Sequence, residues 1–427
     1  MPAFPPLYPS ARLAVLAIML PTAALAAVPT YTQFELQART NLIVNDDGWN
    51  LPPGSSFNSI SASINNEQTV AFPVQLVPIE GNLSNTGPGL WVGSHGSGSI
   101  AFLHEPPVDG ISDRVSINAD GNILYYTYND GSTYRLWRFD GGTGLSSSVN
   151  LLPLVPTAFS GQVLSDTDVM GYRAGLGSGY ALVSTDFVGS WIHVADSDIQ
   201  PGPYAYIYTP SMNNGRRIAS KVSIGDFDHN EIRTFAIGGS FTTVAVDVAT
   251  DPGSPFRRFD NSLAYNDAGQ VAVSLSLDAG NVRAIYRFTP AESGFDATEI
   301  ARVEATGTIR AIESFAPAIN ENGLVVFRAR DANGQAIYAG DGESLKRVVG
   351  KADAVMTDLG AANIGQHIDD PSAWPIFSGA PDVNDNGDIA FIAALHPAGD
   401  NQVEWGSGVF VAYAAGDLIF SDGFESP

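Results

Sequence analysis

Cysteine is absent from this chain of 427 residues. Without thiols there are no disulfide bonds, no thiolate zinc sites, no iron–sulfur clusters and no cysteine nucleophiles. Hydrophobic residues make up 44% of the chain, which is enough to build a sizeable core and excludes disorder throughout. The fold must therefore be held together by packing and hydrogen bonds.

Basic residues are scarce. Lysine and arginine total 21 against 45 aspartate and glutamate residues, and the formal net charge is −24 at pH 7. A surface this acidic repels phosphate backbones and anionic lipid headgroups. We therefore expect no nucleic-acid partner and no binding to membrane surfaces. Apart from the calcium loops considered below, no motif calls for a cofactor.

The chain has no long apolar run. A short apolar segment lies near the N-terminus, where residues 13–20 read LAVLAIML after Arg12. An A-x-A sequence ending at Ala26 follows. This pattern is typical of a secretory signal peptide, so we assign residues 1–27 to one, cleaved after Ala26 or Ala27. The alternative, a membrane anchor, needs about 20 apolar residues. We expect an exported protein of a Gram-negative bacterium, located outside the cell, on its surface or in the periplasm, with no transmembrane segment in the mature chain.

Helical periodicity is also scarce after residue 30. Short segments rich in aromatic and β-branched residues alternate in polarity and end at Gly, Asn or Asp, as in RLWRFD (135–140), LVVFRAR (324–330) and SGVFVAY (407–413). Alternation with a period of two, interrupted by turn residues, indicates β-strands. The sequence therefore predicts an all-β chain.

One phrase recurs along the chain: an apolar residue, Asn, two turn residues, usually Gly, and then an apolar strand. Its clearest copy, VNDNGDIAF, starts at Val383. Four further copies have their Asn at Asn65, Asn118, Asn266 and Asn320, and two degenerate copies place Ser165 and Asp228 there. A unit of about 50 residues built from short strands has the size of one four-stranded propeller blade.

We therefore predict a β-propeller of six or seven four-stranded blades over residues 28–415; the alternative is a β-solenoid, whose repeats are shorter. Strands are counted here from the one that follows each Asn. FELQART (34–40) takes the position of a third strand, and the last repeat stops after its second strand. If strand 34–40 pairs with the strand near 408–414, the two chain ends complete one blade and leave no open sheet edge. Residues 416–427 would then form a C-terminal tail.

The repeat resembles the N-x-x-G-x-x-A-F tandem repeat of secreted bacterial proteins that end in assorted anchoring or sorting tails, the choice-of-anchor proteins. Asn384, Gly387, Ala390 and Phe391 fit this pattern in full, and the other copies fit it in part. The tail GDLIFSDGFESP also resembles a short I-F-x-D-G-F-E ending of exported Gram-negative proteins. These resemblances imply the architecture, export and a sorting role for the tail; they transfer no catalytic residue.

The repeated Asn and Gly have a structural interpretation. Asn hydrogen-bonds to nearby backbone and Gly accepts the positive φ that closes a hairpin, while the following A-F pair points to opposite faces of its strand. Two loops also carry alternating oxygen side chains of the kind that bind Ca²⁺, although both lack the final carboxylate of an EF-hand. The candidate calcium ligands are Asp382, Asn384 and Asn386 in one loop and Asp226, Asp228 and Asn230 in the other.

Sequence motifs for catalysis are missing: there is no H-E-x-x-H, no G-x-S-x-G and no G-x-x-x-x-G-K. The most site-like group is His367 with Asp369 and Asp370 in a long loop. The hypothesis we favour is an exported, monomeric, non-catalytic propeller that binds a protein or a glycan. The alternatives are a polysaccharide hydrolase or lyase that uses paired carboxylates at the channel mouth, and a structural or adhesive component of the cell envelope.

Overall fold

The structure is a computed structural model that describes residues 27–41, 48–56, 60–79, 86–105, 107–129, 133–365 and 376–415. Most of the expected signal peptide (residues 1–26), the loop cluster at His367 and the tail (416–427) lie outside the described residues. Within the described part, no helix is long and apolar enough to cross a membrane.

The described strands form seven antiparallel sheets, one per blade of a seven-bladed β-propeller. This confirms the predicted fold at the upper of the two expected blade counts. The chain opens with β1 (Thr30–Arg39), which belongs to the last blade. Blades 1 to 6 are each built in chain order from the central channel outwards, and four of them have an innermost strand split into two short pieces.

The bounds of the strands in the first three blades are as follows. Blade 1 contains β2 (Ser55–Ser56), β3 (Ser63–Ile64), β4 (Val70–Leu76), β5 (Gly87–Ser94) and β6 (Ser97–Leu103). Blade 2 contains β7 (Gly110–Ile111), β8 (Ser116–Ile117), β9 (Ile123–Asn129), β10 (Thr133–Asp140) and β11 (Leu145–Ser148). Blade 3 contains β12 (Ala158–Leu164), β13 (Met170–Gly175), β14 (Tyr180–Thr185) and β15 (Ser190–Ala195).

The next three blades repeat this order. Blade 4 contains β16 (Tyr204–Ile207), β17 (Ser211–Met212), β18 (Ile218–Ile224), β19 (Asn230–Phe235) and β20 (Phe241–Val246). Blade 5 contains β21 (Phe256–Tyr265), β22 (Val271–Leu277), a short 3₁₀ helix (Ala279–Asn281), β23 (Arg283–Pro290) and β24 (Phe295–Arg302). Blade 6 contains β25 (Ala311–Ile312), β26 (Ala318–Ile319), β27 (Val325–Asp331), β28 (Gly334–Gly340) and β29 (Leu345–Gly350).

Blade 7 is built from both ends of the chain, as predicted. It contains β32 (Phe377–Val383), β33 (Ile389–Pro397), β34 (Ser407–Ala415) and, outermost, β1. Phe34 of β1 lies opposite Ala412 of β34, and Arg39 lies opposite Gly408. An extra hairpin, β30 (Ala354–Thr357) and β31 (Gly360–Ile364), precedes the blade and pairs with the end of β33.

The hydrophobic core is divided into seven clusters, each between two neighbouring blades. In blade 7, Ala390 packs in the cluster shared with blade 1, whereas the next residue, Phe391, packs in the cluster shared with blade 6. Because side chains alternate across a strand, each second strand packs against the preceding blade with one face and against the following blade with the other. This confirms that the A-F pair points to opposite sides, and each buried Phe contributes about 1.5–3 kcal/mol.

Antiparallel pairing gives the ring two distinct ends. We call the end with the turns between innermost and second strands the Asn face, because the repeated Asn residues lie there. Turns between second and third strands, such as β18–β19, lie at the other end, the opposite face. The innermost strands between these ends line a central channel.

Candidate functional site: the central channel

The repeated turn closes each innermost strand with one side-chain hydrogen bond. In blade 6 the Oδ1 atom of Asn320 accepts the backbone N–H of Leu324 at 3.0 Å. All seven blades make this bond, including blade 3, where the Ser165 hydroxyl accepts the N–H of Val169 at 2.9 Å. Gly323 has φ of 79° at the third position after Asn320. The structural interpretation of the Asn and Gly is therefore confirmed.

The same side chains also join neighbouring blades, which the sequence did not indicate. The Nδ2 group of Asn320 donates to the backbone carbonyl of Asn384 at 3.0 Å, and Asn384 donates to that of Asn65 at 3.0 Å, which crosses the seam where the ring closes. Six such bonds connect the seven positions, and Ser165 lacks the amide for the remaining one. We call this set the Asn ring; its members are Asn65, Asn118, Ser165, Asn213, Asn266, Asn320 and Asn384.

Blade 4 corrects one prediction. Asp228 was expected to stand in the Asn position, but it lies in the β18–β19 turn on the opposite face. The true position is Asn213, whose Oδ1 atom accepts the N–H of Arg217 at 3.0 Å. Its spacing of 53 residues from Asn266 was a usable signal. Arg216, with φ of 59°, occupies the position that most other copies fill with Gly, so the pattern was not recognised there.

A second ring surrounds the channel mouth on the Asn face, one residue further along each turn. We call it the acidic ring, and along the described chain it consists of Asn66, Ala119, Asp166, Asn214, Asp267, Glu321 and Asp385. Backbone N–H groups donate to the side chain of the next blade, as from Asp267 to Glu321 at 2.9 Å and from Glu321 to Asp385 at 2.9 Å. Burial raises the pKa of Glu321, and the charges of Asp267 and Asp385 raise it further.

All seven blades line the channel, whose cavity volume is about 580 Å³. Its wall is polar and rich in hydroxyl groups. Arg114 of blade 2 is 44% exposed and contacts Asp382 of blade 7, with its Nη2 atom 3.4 Å from Oδ1. Asp382 also accepts the Ser63 hydroxyl at 2.7 Å and the N–H of Ile64 at 3.2 Å. These two side chains thus connect three blades across the channel wall.

The first predicted calcium loop spreads its three residues over different places. Asp382 lies in the channel wall, Asn384 belongs to the Asn ring, and Asn386 donates its amide to the backbone carbonyl of Asn66 at 2.9 Å. The Oδ1 atom of Asn384 accepts the N–H of Asp388 at 2.8 Å. The structure therefore does not bring these three side chains together around one point.

The second loop lies on the opposite face of blade 4. Asp226 accepts the backbone N–H of Asp228 at 2.9 Å. Its Oδ1 atom also lies 2.7 Å from Nδ1 of His229, and this hydrogen bond lowers the pKa of the Asp226 carboxyl. Asn230 is buried, and its Oδ1 atom accepts the Ser223 hydroxyl at 2.8 Å. Among the described residues, no group of three or more His, Cys, Asp or Glu is placed to hold a metal ion. Calcium binding stays a prediction.

Two histidines are core residues. His104 is buried between aromatic side chains and lies 3.0 Å from the Tyr125 hydroxyl, and burial lowers its pKa to about 4. His193 is buried beside the Ser184 hydroxyl, and burial lowers its pKa to about 4 as well. Both rings are therefore neutral at pH 7 and serve packing within and between blades.

Comparison with known proteins places the chain in a family. Residues 193–427 match a family of unknown function, DUF7453. The chain belongs to this family. No curated protein matches it.

Several solved structures are similar to this chain at low identity. The β-propeller domain of the Trilobed protease from Pyrococcus furiosus, described as having an open velcro topology, is 11% identical over 84% of this chain and 96% of its own, with a TM-score of 0.51. A puromycin-hydrolyzing peptidase from Mycobacterium tuberculosis is 13% identical over 92% of this chain and 57% of its own, with a TM-score of 0.49. TolB from Acinetobacter baumannii is 13% identical over 61% of this chain and 59% of its own, with a TM-score of 0.40. The first of these likenesses shows the fold alone, and the chain spans less than two thirds of the latter two proteins.

Proposed function

We propose that this protein is an exported, non-catalytic β-propeller that binds a glycan or a protein segment in its central channel. One observation carries the proposal: the channel has polar groups that the fold does not use. Within the described chain, the side-chain hydroxyls of four wall residues make no hydrogen bond. These residues are Thr209, Ser211, Ser262 and Ser314.

The location of these hydroxyls supports binding of a polar ligand. They belong to the innermost layer of blades 4, 5 and 6, and Arg114 and Asp382 line the same channel from blades 2 and 7. Hydroxyls both donate and accept hydrogen bonds, as do the groups of a sugar ring or a peptide. A concave site with a few convergent polar groups is the usual form of a ligand site.

The environment of Asp382 supports binding without catalysis. Its carboxylate accepts hydrogen bonds from Ser63 and Ile64 and faces the Arg114 guanidinium. In glycoside hydrolysis a catalytic acid must transfer its proton to the leaving group of the substrate. Asp382 is instead held by three protein partners, which suits it to orient a ligand or Arg114.

A binding experiment with matched arginine variants tests the channel. The purified protein is applied to an array of glycans and to an array of peptides, and Arg114→Ala is compared with Arg330→Ala. Arg330 is 45% exposed and also pairs with a carboxylate, Glu313, but it does not line the channel. We expect Arg114→Ala to weaken binding at least about tenfold and Arg330→Ala to leave it unchanged.

The outcomes separate the alternatives. Equal binding by both variants would reject the channel as the site. Turnover of a bound glycan, lost in Asp382→Asn, would replace the proposal with the hydrolase or lyase hypothesis. If neither array gives binding and deletion of the gene releases cells from surfaces, the structural or adhesive hypothesis is favoured.

Export and sorting by the tail are part of the same proposal. Among the described residues the first buried one is Val28, and β1 starts at Thr30, so cleavage after Ala26 or Ala27 leaves every described strand intact. The mature N-terminus should then be Ala27 or Val28, which N-terminal sequencing of the protein from cell fractions checks. Deleting residues 416–427 should change the fraction in which the protein is found and leave its melting temperature unchanged.

A further inference from the structure

A small basic pocket adjoins the channel between blades 4, 5 and 6. Its volume is about 340 Å³, and it shares Ser262, Ser314 and Phe315 with the channel wall. Three cationic side chains line it: Lys221 on β18, Arg258 on β21 and Arg283 on β23. We call these residues and their cavity the basic pocket. Three cationic side chains around one cavity are unusual in a chain with a net charge of −24.

Lys221 is the central feature of the basic pocket. It is one of three lysines in the chain and is only 5% exposed. Its Nζ atom donates to the carbonyl of Phe259 at 3.2 Å and to Oδ1 of Asn261 at 3.1 Å, and it lies 4.1 Å from the centre of the Tyr208 ring. These partners are neutral, so no carboxylate bonds directly to the buried ammonium.

The ammonium group of Lys221 is therefore a positive charge that is costly to bury. Burial lowers the pKa of Lys221 to about 8; the nearby Arg258 also lowers it, while Asp260 and Asp247 raise it. A desolvated ammonium without a bonded anion is stabilised strongly when an oxyanion binds next to it. The burial of Lys221 therefore favours a ligand of negative charge.

The two arginines of the basic pocket differ in how they are engaged. Arg283 makes a bidentate ion pair with Asp260, at 3.2 and 2.6 Å, and its buried Nε atom has no hydrogen-bond partner. The Arg258 side chain is exposed and, among the described residues, makes no hydrogen bond or ion pair. Asp260 thus balances Arg283 and leaves the charges of Lys221 and Arg258 without a bonded carboxylate.

We infer that the basic pocket is an anion subsite, which binds the carboxylate or phosphate group of a ligand lying in the channel. Guanidinium groups bind both oxyanions through paired N–H donors. The exposed side of Phe315, at 38%, offers an apolar surface beside that group. This inference rests on the proposed channel ligand for its biological meaning, but the subsite itself can be tested with small anions alone.

The distribution of charge along the channel indicates the direction of entry. Asn261 and Ser262 precede Asn266 by five and four residues, which places the basic pocket towards the opposite face. The acidic ring, with four carboxylates, surrounds the mouth on the Asn face. Because like charges repel, an anionic ligand should enter from the opposite face.

Calorimetric titration of the purified protein with inorganic phosphate and with D-glucuronate tests the subsite at constant ionic strength, with D-glucose as the uncharged control. Arg258→Gln is compared with Arg257→Gln. Arg257 is the neighbouring exposed arginine on β21 and does not line the basic pocket, so both variants remove the same charge. We expect Arg258→Gln to lower the association constant at least about tenfold and Arg257→Gln to change it less than about twofold.

Lys221→Met should abolish binding, and a melting curve of this variant shows whether it is folded. The Arg258 side chain is exposed and makes no hydrogen bond or ion pair with the described residues, so the test with Arg258→Gln does not depend on the stability of the lysine variant. Binding of phosphate alone would assign a phosphorylated ligand, and binding of glucuronate alone would assign an acidic sugar or another carboxylate.

The titrations would overturn the inference if neither anion gave a heat of binding, or if Arg257→Gln and Arg258→Gln caused equal losses. If anions bind through Arg258 while no glycan or peptide depends on Arg114, the anion subsite stands and the proposed channel function fails. If a ligand depends on Arg114 and not on Arg258, the channel function stands and the subsite fails.

Discussion

At the scale of single residues, each Asn of the repeat makes two kinds of hydrogen bond with different consequences. The Oδ1 atom closes the turn within its own blade, and the Nδ2 group binds the backbone of the next blade. Serine can make only the first bond, as Ser165 does in blade 3. Replacing Asn by Ser therefore removes the connection between blades and keeps the turn.

This separation gives a graded prediction at Asn320. Asn320→Ser should lower the free energy of unfolding by about 1 kcal/mol, because one hydrogen bond is lost, and Asn320→Ala by about 2–3 kcal/mol, because the buried N–H of Leu324 also loses its acceptor. Asn322→Ser is the control, since Asn322 is exposed although it also bonds to the next blade. Thermal unfolding followed by calorimetry ranks the three variants. Equal effects of the Ser and Ala variants would show that the bond to Leu324 contributes nothing.

At the scale of elements, the hairpin β30–β31 is attached to the closing blade by a buried ion pair. Arg39, near the end of β1, binds Asp358 at the hairpin turn through two hydrogen bonds of 2.8 Å each. The remaining Nη1 donor of Arg39 binds the carbonyls of Thr40 and Trp405. The guanidinium is thus fully engaged, and its charge is balanced by Asp358.

Removing the carboxylate should therefore be costly. Asp358→Asn leaves the Arg39 charge buried without a counter-ion, and we expect a loss of about 3 kcal/mol in unfolding free energy. Hydrogen exchange of residues 354–364 should also become faster, because the hairpin loses its attachment. Glu299→Gln, which breaks the exposed pair with Arg302, should cost less than about 1 kcal/mol. Similar small losses in both variants would contradict a stabilising role for the Arg39–Asp358 pair.

At the scale of the whole molecule, pairing of β1 with β34 joins the two ends of the ring. Thr30 and Ala415 are exposed partners at one end of this pairing. Cysteines at both positions should form a disulfide on oxidation, with no native cysteine to interfere. Because the bond encloses almost the whole domain, loop-closure entropy predicts a gain of up to about 5 kcal/mol.

Thermal unfolding of the oxidised and reduced double variant measures this gain, and the two single-cysteine variants are the controls. The oxidised form should melt at a higher temperature than the reduced form, and the reduced form should match the wild type. Failure of the disulfide to form, with both thiols reactive in the folded protein, would contradict the closed ring.

Features that depend on short stretches of chain could be predicted from the sequence. Period-2 alternation identified the strands, and the recurring phrase around Asn identified five turns, four of them with Gly, because a side chain that bonds to a backbone group four residues ahead leaves a local pattern. Ring closure also followed from the sequence, since the incomplete first and last repeats complement each other. The sixth turn, at Ser165, was recognised as degenerate and confirmed.

The ring that these turns build together became visible in the three-dimensional structure. Asn213 was missed because Arg216 takes the positive φ that Gly takes elsewhere. Ser63 and Asp382 are 319 residues apart and meet only because seven blades curve into a closed ring. Lys221, Arg258 and Arg283 likewise stand on three different strands with no shared spacing. They line one pocket because β18 of blade 4 packs against blade 5, which carries the two arginines. Such contacts depend on the curvature of the ring, which no local pattern in the chain encodes.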